Sequence, residues 1–329
     1  MPHRTLDSRT SSGPLGPDED CRDAVYETSL DGGVSSDIRV VSTPQGKRVV
    51  KRALGKLKVE AEWFSDPARS SIEAEGLRAI AVLLGQTHAP RVLWVDETAH
   101  QFAMELIEPC FRNWKQKLLR GDVDIANAAA AGRLLGQLHT RSSGDPSFAA
   151  RFANTAPFIE LRIRPFFERI AQRNPALAPT IAEIVLELRA TRNALVHGDY
   201  SPKNLLVDGH DMVILDCEVA HWGDPRFDVA FCLAHLLLKL FRRTASTPPL
   251  LSSILAFLAA YRRHGPTVMD RHLVRQLGCL VLARLEGDSP VDYLADLDAN
   301  EVKQFATQLI LHPTTFAELG FDSTGHNLK

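Results

Sequence analysis

Short apolar and β-branched runs separated by turn residues occupy the first third of the chain, and from Glu108 onward the apolar positions recur at helical spacing instead. Runs at Tyr26–Leu30, Ile38–Thr43 and Arg48–Leu54 predict three strands, with Pro44-Gln45-Gly46-Lys47 turning between the last two. The stretch SSIEAEGLRAIAVLL, residues 70–84, carries apolar residues at Ile72, Leu77, Ile80 and Leu84 behind serines suited to capping, and predicts a helix. Pro90–Val95 and Phe102–Ile107 predict two further strands that complete a small sheet. Helices are then expected over Asn113–Arg120, Ile125–Thr140, Ala156–Ala171, Pro179–Thr191, Leu250–His264, Arg271–Glu286, Pro290–Leu297 and Asn300–Leu311. One hairpin interrupts them. Its strands are Asn204–Val207 and Met212–Leu215, joined through Asp208-Gly209-His210-Asp211.

Composition narrows the class. A chain of 329 residues, 45% hydrophobic and 24% charged, can bury a large core and is long enough for two lobes. A net charge of -2 offers no basic field for nucleic acid or an anionic membrane, so neither is expected as a partner. Residues 1–20 are rich in Ser, Pro, Gly and charge and are expected to be a disordered tail; nothing near the start resembles a signal peptide. The most apolar later run, Val229–Phe241, is interrupted by His235 and Lys239. It falls short of the roughly 20 residues a membrane span requires and reads as a buried helix. Cys21, Cys110, Cys217, Cys232 and Cys279 form no paired framework, which points to reduced thiols in a cytoplasmic protein.

The chemistry concentrates in LVHGDYSPKNLLVDGHDMVILDCEVAHWGDPRFDVAFCLAH, residues 195–235. His197, Asp199 and Asn204 precede the hairpin, while Asp216 and Glu218 follow it, so two short strands bring carboxylates and an amide into one cluster. That combination suits Mg2+ and a phosphate chain. Phosphoryl transfer needs a carboxylate to orient and accept the proton of the attacking hydroxyl, and hard oxygen ligands for the metal. Asp199 suits the first task. Asn204 offers a neutral oxygen and Asp216 an anionic one. Glu218, on the same side as Asp216 if the chain stays extended, completes a second metal position. Alternation places Cys217 on the opposite face, as packing. Taken piecewise, His-Gly-Asp is an ordinary turn, and Asp224-Pro225 is a helix start with Asp224 as its cap.

His-Gly-Asp, then Asn204 five residues after Asp199, then Ile-Leu-Asp and Gly-Asp-Pro-x-x-Asp together resemble the catalytic core of the aminoglycoside phosphotransferase family. That family shares its fold with eukaryotic-type protein kinases and choline kinases. The resemblance implies an α+β, bilobed protein-kinase-like fold, with a small antiparallel-sheet lobe over residues 21–107 and a mainly helical lobe over 108–329. It implies Asp199 as catalytic base, Asn204 and Asp216 as metal ligands, and Asp228 as a brace for the catalytic loop. Asp216-Cys217-Glu218 is also similar to the Asp-x-Glu of methylthioribose kinases, which lack the Asn found here at 204.

The same resemblance assigns residues in the first lobe. Val49-Val50-Lys51 is similar to the strand carrying the phosphate-pairing lysine of kinases, and Lys51 then needs a carboxylate from the following helix. Glu73 fits, with Leu77 and Ile80 four and seven positions on; Glu75, with Ala79 and Val82, is the alternative. Asp31-Gly32-Gly33-Val34-Ser35-Ser36 reads as a phosphate-covering loop in which Gly32, Gly33, Ser35 and Ser36 bring backbone N–H groups to ATP, or as a plain hairpin turn. Met104, Glu105 and Ile107 fall at the hinge that reads adenine in kinase-like folds.

The activity expected is ATP- and Mg2+-dependent transfer of a γ-phosphate to a hydroxyl of a small molecule resembling an aminoglycoside, a sugar or an amino alcohol. A protein hydroxyl as acceptor, or a nucleotide-binding module without catalysis, are the alternatives. Between Glu286 and Glu301, six acids occur with no Lys or Arg; they form either an acidic wall favouring a cationic acceptor or a solvated face. His139, at the end of Leu-Gly-Gln-Leu-His, is expected to be a capping or core residue. Oligomeric state is not legible.

Overall fold

In β3 (Gly46–Ala53), strand alternation puts Val49, Lys51 and Ala53 on one buried face, so a lysine enters the interior in company with apolar side chains. This strand lies at the centre of a five-stranded antiparallel sheet formed with β1 (Tyr26–Ser29), β2 (Ser36–Thr43), β4 (Val92–Asp96) and β5 (Gln101–Glu105). The order is β1-β2-β3-β5-β4, with Lys51 paired in register to Ile38 and Phe102. The computed structural model describes residues 26–29, 34–44, 46–58, 62–242 and 247–314; Gly32, Gly33 and the expected tail lie outside them.

Helix α1 (Arg69–Leu84) packs beside this sheet with Glu73, Leu77 and Ile80 all buried, the i, i+4, i+7 face expected for it. Its serines do not cap it. No side chain accepts from the first turn, and Asp66 Oδ1 instead takes the Ala68 N–H at 2.9 Å.

The remainder is mainly helical: α2 (Trp114–Leu119), α3 (Ile125–Ser142), α4 (Pro146–Arg151), α5 (Ala156–Phe158), a π-helical stretch at Ile159–Glu168, α6 (Arg169–Arg173), α7 (Ala178–Ala190), α8 (Arg226–Leu240), α9 (Thr247–His264), α10 (Arg271–Glu286) and α11 (Ala299–Leu311). Short strands thread among them. β6 (Arg112–Asn113) pairs with β8 (Leu205–Asp208), which pairs with β9 (Asp211–Ile214), while β7 (Ala194–Val196) pairs with β10 (His221–Gly223). The expected bilobed mixture of a small antiparallel sheet and a helical body is the observed architecture. One apolar cluster runs through both, from Leu77 and Phe102 to Leu135, Ile214 and Phe231.

Three local expectations are corrected. Asp208 pairs with Asp211, so the hairpin turn is Gly209-His210, with Gly209 in the left-handed region, and Asn204 sits in a 3-10 turn at Pro202–Asn204 before the strand. Over 290–297 only a 3-10 turn at Leu294–Asp296 forms in place of the expected helix. Strand β5 ends at Glu105, which leaves Ile107 in the connection that follows. Of the buried helix expected at Val229–Phe241, Val229–Leu240 is present within α8 and Phe241 follows it half-buried. No helix among the described residues is long and apolar enough to cross a membrane.

Candidate active site

Lys51 reaches from the sheet to two acids of different origin. Its Nζ lies 2.7 Å from Glu73 Oε1 on α1 and 2.5 Å from Asp216 Oδ1, just beyond β9. Burial alone would lower Lys51, but the Asp216 and Glu73 carboxylates more than offset this and hold it above the ordinary lysine value. Burial would likewise raise Asp216; Lys51, with Lys203 and His197 farther off, holds it below the usual carboxylate range. Burial pushes Glu73 up. The choice between Glu73 and Glu75 is resolved by the face of the helix: Glu75 turns outward to Arg151, with Nε at 2.8 Å.

The His-Gly-Asp loop is held by a brace beneath it. Asp228, fully buried on α8, accepts the backbone N–H groups of His197 at 2.6 Å and Gly198 at 2.8 Å, and contacts His139 Nε2 at 3.1 Å. Burial would raise Asp228, yet the hydrogen bonds from His139 and His197 keep it below the ordinary aspartate value. His139 also meets Tyr261 Oη through Nδ1, at 2.8 Å, so it acts in the core as a second-tier support. His197 Nδ1 accepts the Asp199 N–H at 3.1 Å, which leaves Nε2–H to donate to the Leu215 carbonyl at 3.0 Å. That imidazole therefore ties the loop carrying Asp199 to the strand end carrying Asp216. Gly198 has φ +78, and a Cβ there would stand 2.7 Å from Val219 Cγ2, so the turn requires glycine.

Both oxygens of Asp199 are engaged. Oδ1 pairs with Arg162 Nη2 at 3.0 Å, and Oδ2 accepts from Asn204 Nδ2 at 2.7 Å. Asn204 thereby turns its amide nitrogen toward Asp199 and keeps Oδ1 for other partners. Arg162 also donates Nε–H to the Gly198 carbonyl at 2.8 Å. Nothing in the sequence marks Arg162, which lies on the π-helical stretch far from the loop it grips.

Arg69 was equally unmarked. Buried at the start of α1, its guanidinium donates to Glu218 Oε2 at 3.0 Å, to the carbonyls of Ser35 at 2.6 Å and Leu54 at 2.9 Å, and to those of Ser65 and Asp66. It fastens the strand ends of the sheet to the Asp-x-Glu segment. Asp216 has φ 68, a left-handed conformation that aims its carboxylate toward Lys51. Cys217 is buried against Gly76 of α1, where a Cβ would come within 2.5 Å of its own, so it packs as expected. Ligand oxygens of Glu73, Asp216 and Glu218 lie within 4.8 Å of one another, an all-oxygen donor set of the hard kind that Mg2+ takes.

Around this cluster, Val34, Ser35, Asp199, Lys203, Asp216 and Glu218 line one cleft. Ser36 is buried and its hydroxyl lacks a partner. At the expected hinge, Met104 is half-buried against the core and Ile107 half-buried, while exposed Glu105 donates its N–H to the Arg91 carbonyl at 2.9 Å. Asp224 accepts the Arg226 N–H at 3.0 Å, the capping role read for it.

The acidic wall is not formed. Glu286 pairs with Lys303 at 2.6 Å, Asp288 with Arg169 at 2.6 Å, Asp292 with Lys115 at 2.7 Å and Asp296 with Arg242 at 2.9 Å, while Asp298 caps α11. The cations come from other parts of the chain, out of reach of a reading confined to residues 286–301.

A lysine tied to a helix acid, a braced His-Gly-Asp loop and an all-oxygen cluster at the mouth of a two-lobed cleft define a kinase-like protein. The chain belongs to the phosphotransferase enzyme family, which it matches over residues 27–266. It is 26% identical over 225 residues to methylthioribose kinase of Escherichia coli O45:K1, covering 59% of this chain and 53% of that protein. Against methylthioribose kinase 2 of Oryza sativa subsp. japonica it is 22% identical over 247 residues, covering 67% of this chain and 58% of the other. The chain thus spans a little over half the length of these curated relatives. Its fold is shared with solved structures. Amicoumacin kinase hAmiN, in complex with AMP-PNP, Ca2+ and Ami, has a TM-score of 0.55 at 12% identity, with 92% of this chain and 95% of that one covered. An ethanolamine kinase of Plasmodium vivax has a TM-score of 0.52 at 11% identity, with 92% and 86% covered.

Proposed function

We propose that this protein is an ATP- and Mg2+-dependent phosphotransferase acting on a hydroxyl of a small molecule. The observation that carries the proposal is the meeting of Lys51 with Glu73 and Asp216, three segments of chain far apart in sequence, in the cleft that also holds Asp199. Lys51 holds the α- and β-phosphates and Glu73 fixes Lys51. Asn204 Oδ1 and Asp216 hold the metal, and the oxygen of Glu218 not paired with Arg69 completes a second position. When bound, Mg2+ neutralises charge on the phosphate oxygens.

Asp199 orients the acceptor hydroxyl. As the bond from the γ-phosphorus to the β-phosphate oxygen breaks and the bond to the acceptor oxygen forms, Asp199 takes the hydroxyl proton and ADP leaves. Arg162 and Asn204 hold the Asp199 carboxylate in one rotamer for this. Gly32, Gly33, Ser35 and Ser36 cover the phosphates; Met104, Glu105 and Ile107 border the adenine. The first lobe ends at Ile107. The chain runs from Asp216 through β10 straight into α8, with no long segment on which a protein substrate would lie, and this supports a small acceptor. Buried, unpaired Cys217, Cys232 and Cys279 support a cytoplasmic setting.

Asp199→Ala is expected to lower turnover by at least about a hundredfold while Mg-ATP affinity stays within about twofold, because only transition-state organisation is lost. Steady-state ADP release alongside calorimetric titration checks it, and undiminished turnover removes Asp199 from the role.

A further inference from the structure

The acceptor end of the cleft presents two guanidinium groups, where the run of acids at 286–301 offers either an acidic wall or a solvated face. It is a cavity of about 300 Å3 whose helical side carries Arg162, Phe166, Phe231, His235, Arg284 and Ser289. The two guanidinium groups both face the Phe166 ring, Arg162 at 5.6 Å and Arg284 at 5.7 Å from its centroid. Arg162 has a carboxylate partner in Asp199. Arg284 has none among the described residues. Its Nη1 donates to the Ser289 carbonyl at 2.6 Å and hydroxyl at 2.9 Å, and its buried Nε–H has no hydrogen-bond partner at all.

Arg284 is half-buried, but its Nε–H is shut from water without a partner, a desolvation cost that no carboxylate in contact offsets. Asp199 and Asp292 attract Arg284 only at longer range, and burial leaves it below the ordinary arginine value. The nearest acids along the chain, Glu286 and Asp288, are taken by Lys303 and Arg169. Behind it, Lys239 repeats the pattern. It is buried, with Nζ 3.0 Å from the His235 carbonyl and 3.5 Å from Tyr293 Oη, and without a carboxylate in contact. Burial pushes that lysine down to about 7, and Lys115 and Arg284 add to the effect. The pocket's acids, Asp199, Asp216, Glu218 and Asp288, are held by Arg162, Lys51, Arg69 and Arg169, so what the protein alone does not provide is a negative charge in contact with Arg284. The nucleotide does not supply it in the scheme above, since Lys51 and the metal ligands take the triphosphate and α10 gives them nothing.

We propose that the acceptor carries, besides the hydroxyl that is phosphorylated, an anionic group, carboxylate or phosphate, which docks on Arg284 and the Ser289 hydroxyl while the hydroxyl meets Asp199. The inference rests on the phosphotransferase reading and names the substrate class of that site. Guanidinium and hydroxyl donors together match the oxygens of either group, and the Phe166 face holds the fork in plane.

Matched acceptors test it, with ADP release as the readout: D-glycerate and D-gluconate against glycerol and sorbitol, ribose 5-phosphate against ribose, and choline and kanamycin as cations. At least one acidic member is expected to exceed its neutral partner tenfold or more in kcat/KM. The carboxylate and phosphate arms separate the two sources of the anion. Arg284→Met should then raise the KM of that acceptor about 10- to 100-fold, with KM for ATP within twofold and partial recovery in Arg284→Lys. If Arg284→Met does not fold, Ser289→Ala should raise the same KM about threefold or more. Equal or better use of neutral or cationic acceptors overturns the proposal, as does an acceptor KM that Arg284→Met leaves alone, an effect confined to the KM for ATP, or a panel in which no acidic acceptor is turned over. Mg-ATP titration of the wild-type protein separates this from failure of the phosphotransferase reading, which alone predicts that binding.

Discussion

Arg69 and Arg162 grip the site from outside its motifs, while Asp199, Asn204 and Asp216 stand within them. Asp199, Asn204 and Asp216 announce themselves by spacing, because one loop and one hairpin must present them together. Arg69 and Arg162 give no such sign: Arg69 meets Glu218 149 positions away, and Arg162 meets Gly198 36 positions away. Two consequences can be measured on single residues. Gly198→Ala forces a side chain into φ +78 against Val219, and should cost about 1–3 kcal/mol in urea unfolding. An unchanged midpoint would mean the loop relaxes freely. His221 is buried against Phe158 and donates Nδ1–H to the Val219 carbonyl; burial pushes it down to about 4. The unfolded chain, with an ordinary histidine near 6.5, binds the proton first. Stability from the neutral imidazole is thus complete above pH 6.5 and lost as pH falls toward 4, up to about 3 kcal/mol. The melting temperature of His221→Phe should therefore fall less than that of the wild type between pH 7 and 4.5, and parallel curves would contradict this.

Among elements, periodicity found most helices and strands but could not find departures from regular geometry. The expected helix at Ala156–Ala171 exists, yet its middle, Ile159–Glu168, winds with π spacing around Pro165. Proline removes one backbone N–H and crowds the preceding turn, while the apolar pattern reads the same for either winding. The wider turn is where Arg162 stands, close enough to grip both Asp199 and the Gly198 carbonyl. Arg162→Met should lower kcat about tenfold or more with Mg-ATP affinity within twofold, because Asp199 loses one of two positioning contacts. Stopped turnover together with lost nucleotide binding would instead make Arg162 a general support of the cleft. The 3-10 turn at Leu294–Asp296, where a longer helix was expected, shows the opposite error: acids that looked like a helical face are each anchored to a separate cation.

At the scale of the molecule, the cluster of Lys51, Glu73 and Asp216 belongs to neither lobe by itself. Strand β3 brings Lys51, α1 brings Glu73, and the turn after β9 brings Asp216, with Arg69 and the His88 contact to the Met212 carbonyl at 2.9 Å tying the sheet to the hairpin. The two-lobed fold is readable because family-like motifs occur in both halves in the right order, whereas the pocket around Arg162 and Arg284 is not, since its residues come from elements scattered over the second half. The joint site predicts that nucleotide affinity depends on metal and on residues of both lobes at once. Calorimetric titration of ATP with and without Mg2+ into the wild type, Lys51→Met and Asp216→Ala tests this most directly. Metal-dependent binding in the wild type, weakened about tenfold or more in each variant and with the Mg2+ dependence abolished in Asp216→Ala, is the predicted result; Mg-ATP affinity equal in all three proteins would contradict it.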